Sequence, residues 1–142
     1  MPELQNAWPL RVYWEDTDAG GVVFYANYLK FFERARTEWL RRLGIAQSQL
    51  QQDTGLIFVV ADVKLRYLGP ARLDDLLAIS VELLDAGAAS LTLRQQAWRG
   101  DTLLTEGQVR VGCVHAQTLR PARIPPSVRQ AIGSLTMPQI IS

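Results

Sequence analysis

Three carboxylates and two glycines stand just before the longest helical pattern in the chain. The carboxylates belong to Glu15, Asp16 and Asp18, and they are followed by Gly20 and Gly21. A carboxylate on a tight turn before a helix lies near unpaired backbone N–H groups, which can polarise a carbonyl oxygen. One short segment could therefore supply an acid or base together with an electrophilic pocket. The spacing alone fits at least as well an acidic surface turn that caps a helix.

The composition is that of an ordinary globular chain. Of 142 residues, 48% are hydrophobic and 20% are charged, and the formal net charge of +1 gives no reason to expect nucleic acid as a partner. We expect one domain over residues 1–142, with its core over about 9–126 and a C-terminal tail over 127–142. No stretch approaches the ~18 apolar residues of a membrane span, and the N-terminus lacks a signal-peptide pattern. We therefore expect a cytoplasmic protein without membrane insertion.

The chain contains one cysteine, Cys113, and one histidine, His115. An intramolecular disulfide is therefore excluded, and no Cys or His cluster can hold a zinc ion, so we expect no metal and no resident cofactor. A Ser-His-Asp triad would have to use His115. This histidine lies in an apolar run, which favours a structural or interface role.

The first half of the chain predicts a strand followed by a long helix. Apolar alternation indicates a strand over Pro9–Trp14, and helical periodicity indicates a helix over Asn27–Leu43. Asn27 is the expected N-cap and Gly44 the expected C-cap glycine. One broad apolar face is predicted for this helix, formed by Tyr28, Phe31, Phe32, Ala35, Trp39, Leu40 and Leu43. Such a face needs a wide partner surface, and a sheet would supply it.

The second half predicts a short helix over Gln47–Asp53 and then four consecutive strands. The strands are expected over Leu56–Leu68, Leu77–Leu83, Ser90–Trp98 and Leu103–Ala116. Tight turns between consecutive strands indicate antiparallel pairing, and the fold class is therefore α+β, with a curved sheet around a central helix. Open sheet edges favour a homo-oligomer. The candidates for burial in a partner subunit are Trp98, Val109, Val111 and Val114.

The segment from Arg11 to Leu29, RVYWEDTDAGGVVFYANYL, carries a resemblance to a known family. It resembles the hotdog-fold acyl-CoA thioesterases of the 4-hydroxybenzoyl-CoA thioesterase type, and most of all their YbgC-type branch associated with the Tol–Pal system. The likeness continues in order through Glu33–Leu40, Pro70–Asp75 and Arg120–Pro125. It implies a hotdog fold, in which an antiparallel sheet of about five strands wraps one long central helix. It also implies hydrolysis of acyl-CoA thioesters by a dimer or a dimer of dimers.

The same resemblance implies roles for individual residues. Asp18 would be the catalytic carboxylate, either as a nucleophile on the thioester carbonyl or as a general base on water. A backbone N–H at the helix start near Tyr25 would polarise the carbonyl. The positions expected to contact the substrate are Gly21, Asn27, Glu33 and Arg120.

Two positions qualify this transfer of roles. Many YbgC-type members have a histidine where this chain has Tyr25, whereas 4-hydroxybenzoyl-CoA enzymes of the aspartate type have tyrosine. A backbone donor survives that exchange but an imidazole role does not, and the acyl preference stays open between aliphatic and aromatic groups. Another hotdog class uses a glutamate of the central helix as its catalytic carboxylate. Because Asp18 is present, we interpret Glu33 as structural or substrate-positioning.

The phosphates of coenzyme A would be bound by cations at a subunit rim. Arg120 is the first choice because it closes the last strand, and the other candidates are Arg66, Arg72, Arg94 and Arg123. The turn Asp85–Ser90 lacks the basic residues that the aromatic-acyl enzymes have there. The acyl donor is therefore left open between coenzyme A and an acyl carrier protein.

Two other functions fit the same fold. A hotdog dehydratase acts on hydroxyacyl thioesters with a site that resembles a pair of His and acid, but His115 is far from Asp18 in the sequence. The remaining alternative is a non-catalytic binding partner of an acyl carrier protein or of the envelope machinery.

Overall fold

The computed structural model describes residues 7–141, with side chains described for residues 7–133. Its regular elements, in chain order, are β1 Trp8–Arg11, α1 Asn27–Arg42, α2 Gln47–Thr54, β2 Leu56–Tyr67, β3 Leu76–Ala86, β4 Ser90–Arg99, β5 Thr102–His115 and α3 Pro126–Ile141. A 3-10 turn over Trp14–Asp16 lies between β1 and α1.

The five strands form one sheet in the order β1-β3-β4-β5-β2, and every neighbouring pair is antiparallel. The α+β class and the antiparallel sheet of five strands are confirmed. The described chain has three α-helices, so the expectation of one long helix is not confirmed. Strands β1 and β2 form the two edges of the sheet.

Helix α1 presents the predicted face to the core. Its buried residues are Tyr28, Phe31, Phe32, Ala35, Trp39 and Leu40. The helix ends as expected, because Gly44 follows it with a φ of +84°, a left-handed conformation that glycine adopts without strain. At the other end the N-cap is Ala26 rather than Asn27, which is the first helical residue. The N-cap prediction was wrong because the Asn27 side chain bonds backward to Asp16 instead.

Helix α1 and the sheet are in close contact at Phe32. A Cβ atom placed on Gly107 of β5 would lie 2.8 Å from the Phe32 ring and 2.8 Å from Leu65. On β4, the fully buried Gln95 donates a hydrogen bond from Nε2 to the backbone oxygen of Phe32 at 2.9 Å. The missing side chain at Gly107 and the polar contact from Gln95 together fix the depth of α1 on the sheet.

The first strand is shorter than the sequence predicts. It ends at Arg11 instead of Trp14, and the chain turns into the 3-10 segment. The carboxylate of Asp16 accepts a hydrogen bond from the backbone N–H of Tyr13 at 2.9 Å. This local bond favours a turn over continued strand pairing, since an Asp side chain competes for backbone donors.

Three of the residues expected in a subunit interface are core residues of the single chain. Val109, Val111 and Val114 are all buried in the absence of a partner. Trp98 is partly buried, and its indole N–H donates to Gln96. The interface prediction was therefore wrong for the three valines, because they pack within the subunit.

Helix α3 begins at Pro126, and its residues Val128 and Ile132 are buried in the core. The assignment of residues 1–142 to one domain stays a prediction. Within the described residues, no helix combines the length and the apolar character that crossing a membrane requires.

We expect Gly107→Ala to destabilise the fold by about 1–3 kcal/mol, because the new methyl group forces α1 or its side chains away from β5. The measurement is the free energy of unfolding in urea. Gly112→Ala, on the same strand, is the matched control, since a Cβ there meets nothing within 4 Å. Equal stability of the two variants would contradict the close packing of α1 at Gly107.

Candidate active site

The acidic turn before α1 places one carboxylate at the surface. Asp18 is exposed, and its Oδ1 accepts a hydrogen bond from the backbone N–H of Gly20 at 2.8 Å. The N–H of Gly21 donates to the backbone oxygen of Asp18 at 3.0 Å, and Gly21 has a φ of +80°. Among the described residues no hydrogen bond uses the second carboxylate oxygen, Oδ2. The turn therefore orients Asp18 while it leaves one oxygen available.

Two neighbouring segments hold this turn in place. The N–H of Asp18 donates to Val22 at 2.9 Å, and the N–H of Val23 donates to Ala71 at 2.8 Å. Val22 also pairs with Arg72 in an isolated antiparallel bridge. The segment after Asp18 is thus paired with the loop between β2 and β3.

That loop is itself fixed by Asp75. Its Oδ2 accepts the backbone N–H of Arg72 at 2.9 Å and forms an ion pair with the guanidinium of Arg99 at 2.9 Å. The sequence indicates a turn here, but it gives no sign that Arg99 of β4 closes it. A continuous set of contacts therefore runs from the sheet through Asp75 and Arg72 to Val22, four residues after Asp18.

Asp16 differs from Asp18 in every contact. It is buried, its carboxylate accepts the N–H of Tyr13, and its backbone oxygen accepts the side-chain amide of Asn27 at 2.8 Å and the N–H of Phe24 at 3.1 Å. These contacts give Asp16 a structural role within the turn. They also engage the Asn27 amide within the protein, and substrate contact by Asn27 stays a prediction.

The start of α1 carries backbone donors without an intramolecular acceptor. The N–H of Phe24 is bonded to Asp16, and the N–H of Asn27 is bonded to Phe24. In residues 7–133, the hydrogen bonds include none donated by the N–H of Tyr25 or Ala26. These two groups precede the first turn of the helix, where the helix dipole favours negative charge.

Aromatic rings border this helix start. The Tyr25 side chain is 61% exposed, and its ring lies 4.7 Å from Phe24 and 5.9 Å from Tyr67 between centroids. The Tyr67 hydroxyl donates to the backbone oxygen of Tyr25 at 3.3 Å. Desolvation, together with neighbouring Tyr25 and Tyr28, raises the pKa of Tyr67. The sequence shows Tyr67 only as one position in an alternating strand, and its place at the site emerges from the fold.

Glu33 lies away from the acidic turn. It is eight residues after Tyr25 on α1, which corresponds to about 12 Å along the helix axis. Its carboxylate accepts a hydrogen bond from the Thr37 hydroxyl at 2.7 Å, and it borders a separate cavity beside Arg36. The structure therefore does not bring Glu33 together with Asp18 in one subunit.

Arg120 lies at the opposite end of the sheet. It follows β5 and lines a cleft with His115 and Gly55, at the end of the sheet where β2 begins. Tyr67, at the other end of β2, contacts Tyr25. A strand of 12 residues is about 36 Å long at 3.3 Å per residue. Arg120 is thus remote from Asp18 of its own subunit, and its contact with substrate stays a prediction. His115 shares this remote position, which gives no support to a pair of histidine and Asp18.

The arrangement combines an exposed carboxylate with two free backbone donors at a helix start. A carbonyl oxygen at the N–H groups of Tyr25 and Ala26 would be polarised, and a carboxylate nearby could attack its carbon or activate water. The pairing of residues 16–18 with residues 22–24 places Asp18, Gly21 and Tyr25 of the predicted site on one folded segment before α1.

The chain is similar to a known protein family and to known proteins. The thioesterase-like superfamily matches residues 12–132 of the chain. The acyl-CoA thioesterase YbgC of Haemophilus influenzae is 42% identical over 129 residues, which are 91% of this chain and 95% of that protein. The acyl-CoA thioester hydrolase YbgC of Escherichia coli O6:H1 is 44% identical over 122 residues, which are 85% of this chain and 90% of that protein.

A solved structure extends the likeness to three dimensions. The crystal structure of a probable thioesterase from Bartonella henselae has a TM-score of 0.79 at 33% identity, and the match covers 84% of this chain and 98% of that chain. The resemblance to YbgC-type thioesterases that the sequence indicates is confirmed. The chain belongs to the thioesterase-like superfamily.

Proposed function

We propose that this protein hydrolyses acyl-CoA thioesters to a free acid and coenzyme A, with Asp18 as the catalytic carboxylate. The observation that carries the proposal is the pair of free N–H groups at Tyr25 and Ala26 beside an exposed carboxylate on the turn before α1. The names of the relatives in H. influenzae and E. coli, which denote acyl-CoA thioester hydrolysis, support the same substrate class.

The thioester carbonyl oxygen would accept from the N–H of Tyr25 or Ala26, and the charge that develops on this oxygen would be stabilised there. One such donor typically contributes about 2.7–4 kcal/mol at the transition state. Because both donors belong to the backbone, they are held in place without the loss of side-chain freedom. The proposed chemistry needs only groups of the protein and a water molecule.

Two routes fit this geometry. In the first, an oxygen of Asp18 attacks the carbonyl carbon, the C–S bond breaks, coenzyme A leaves as a thiolate, and water hydrolyses the mixed anhydride. In the second, Asp18 accepts a proton from a water molecule whose oxygen attacks the carbonyl carbon. The C–S bond then breaks, coenzyme A leaves as a thiolate, and the proton held by Asp18 passes to that thiolate. The free Oδ2 of Asp18 could serve either route.

The proposed enzyme is a homo-oligomer. In the described chain, β2 is an edge of the sheet with 12 residues and has β5 as its only strand partner. Val60 on this edge is 48% exposed, and a long edge with an apolar residue favours pairing with a second copy. In such an assembly Arg120 of one subunit could bind the phosphates of coenzyme A in the site of another.

We expect Asp18→Asn to lower kcat/KM by at least about 100-fold, because the amide neither attacks nor accepts a proton. The measurement is thiol release with dithiobis-nitrobenzoate across a panel of aliphatic and aromatic acyl-CoA thioesters and an acyl carrier protein thioester. Burial raises the pKa of the Cys113 thiol, so the native protein adds little to this signal.

Glu15→Gln is the control for the removal of a nearby exposed carboxylate and should retain wild-type activity. An Asp18→Asn variant that keeps most of its activity would contradict the role of Asp18. If the wild type releases no thiol from any substrate of the panel but binds the carrier protein tightly, the non-catalytic alternative is favoured.

We expect Tyr25→Phe to retain kcat/KM within about threefold, because the proposed donor is the backbone N–H and survives the loss of the hydroxyl. The same assay gives the value, with far-UV circular dichroism as the check on folding. A loss of 100-fold or more in a folded variant would mean that the phenol takes part in the reaction.

We expect Asp75→Ala to lower kcat/KM by about tenfold while it lowers the unfolding free energy by only ~1 kcal/mol, since it frees the loop that holds Val22. The substitution removes the hydrogen bond from the Arg72 N–H and the ion pair with Arg99. Asp101→Ala, in the exposed turn between β4 and β5, is the control and should change neither quantity. Wild-type kcat/KM in the Asp75 variant would show that the loop does not position the site.

A further inference from the structure

A second cavity lies beside the middle of α1, between this helix and the sheet. It encloses about 70 Å³, and one wall is apolar, with Phe58 of β2, Leu93 of β4 and Val111 of β5. The wall that comes from α1 contains the charged residues Glu33 and Arg36 together with Trp39 and Leu40. A cavity of this size holds the end of a ligand rather than a whole one.

Arg36, which lines this cavity, has fewer hydrogen-bond acceptors around it than its guanidinium can use. Its side chain donates one hydrogen bond, from NH1 to Oε1 of the fully buried Gln95 at 3.0 Å. The ion pairs of residues 7–133 do not include it. A guanidinium has five N–H donors, and a half-buried one needs acceptors for them. Burial lowers the pKa of Arg36, and the neighbouring charge of Glu33 counteracts this effect only in part.

Gln95 fixes the direction of that guanidinium. Its amide is clamped between two groups, since Nε2 donates to the backbone oxygen of Phe32 and Oε1 accepts from Arg36. Because Gln95 is fully buried, its amide cannot turn toward solvent. Arg36 is therefore held at the cavity wall with further donors available, in a setting that is otherwise apolar on the sheet side.

The cavity and the proposed reaction centre lie along the same flank of α1. Leu29, Glu33, Arg36 and Leu40 follow one another at spacings of four, three and four, so they lie on one flank of the helix. Leu29 is 40% exposed and lies nearest to the helix start at Ala26. Ten residues of helix separate Ala26 from Arg36, which is about 15 Å.

Strand β2 borders the same line from the other side. Its Tyr67 contacts Tyr25 at the helix start, and its Phe58 and Val60 line the cavity. On the β2 side the exposed side chains of Tyr67 and Val60, at 47% and 48% exposure, are apolar, and Glu33 is the exposed charged residue on the α1 side. An extended acyl chain whose carbonyl is at Tyr25 would thus reach Arg36 with its far end.

We propose that Arg36, oriented by Gln95, is a specificity-determining residue that binds an oxygen-bearing far end of the acyl group, such as a terminal hydroxyl or carboxylate. This inference rests on the proposed thioester hydrolysis. The apolar side chains of β2 contact the methylene chain, and Arg36 supplies hydrogen bonds that a terminal methyl group cannot accept. Selection follows because a methyl group there leaves the guanidinium without acceptors.

The test compares acyl-CoA thioesters of equal chain length that end in a methyl, a hydroxyl or a carboxylate group. For chains long enough to reach the cavity, the wild type should favour an oxygen-bearing end over the methyl end by tenfold or more in kcat/KM. Arg36→Met should abolish this preference, because kcat/KM for the oxygen-ended substrates falls by tenfold or more relative to that for the methyl-ended substrate. The hydroxyl and carboxylate arms show which oxygen group the cavity accepts.

Arg34→Met is the matched control, because Arg34 is an exposed arginine on another face of α1. It should keep the wild-type preference. Arg36→Lys retains a cation and should keep part of the preference, which provides a second variant if the methionine variant does not fold. The inference would be overturned if the wild type had equal kcat/KM for the three substrates, or if Arg36→Met lowered kcat/KM equally for all three. Thioester hydrolysis itself would still stand. Inactivity of the wild type on every acyl-CoA would contradict the proposed function itself.

Discussion

The packing of α1 against the sheet at Phe32 is the contact on which the rest of the structure depends. Gly107 leaves room for the Phe32 ring, and Gln95 satisfies the backbone oxygen of Phe32 from the sheet side. Replacement of Gly107 by a larger residue, or of Gln95 by an apolar one, would change how closely α1 packs on the sheet. Because the donors at Tyr25 and Ala26 belong to the start of the same helix, this contact also determines where a carbonyl group can be polarised.

The carboxylate is positioned by a different set of contacts. Asp16 uses its buried side chain to close the 3-10 turn, while Asp18 is left exposed on a turn whose geometry Gly21 permits. Pairing of Val22 and Val23 with the loop at Ala71 and Arg72 connects this turn to the sheet. Two neighbouring aspartates thus have separate tasks, and burial and hydrogen bonding decide which of them is available to a substrate.

Much of this architecture follows from local sequence patterns. The helical spacing of Tyr28, Phe32, Ala35 and Trp39 predicts α1 and its buried face, and Gly44 predicts its end. Period-two alternation predicts β2 to β5, since each of these strands has one face in the core. The acidic motif identifies Asp18 as the candidate carboxylate, although its chemical role is a proposal.

The features that the sequence does not predict depend on contacts between distant segments. The pairs Asp75 with Arg99 and Arg36 with Gln95 join residues that are 24 and 59 positions apart, and neither pair leaves a local pattern. The same limit explains the error at Val109, Val111 and Val114. Alternation shows that Val109 and Val111 share one face of β5 and that Val114 lies on the other, but it does not tell whether another part of the chain or a second subunit covers each face. The distance between Arg120 and Asp18 likewise follows only from the fold, because the two residues lie near opposite ends of β2.

The most direct test of the central claim is a crystal structure of Asp18→Asn with an acyl-CoA thioester bound. We expect the thioester carbonyl oxygen at about 2.7–3.1 Å from the backbone nitrogen of Tyr25 or Ala26. We also expect the carbonyl carbon within about 3.5 Å of the side chain at position 18 or of a water bound to it. A thioester bound with its carbonyl away from the start of α1, for example beside Glu33, would contradict the proposed site.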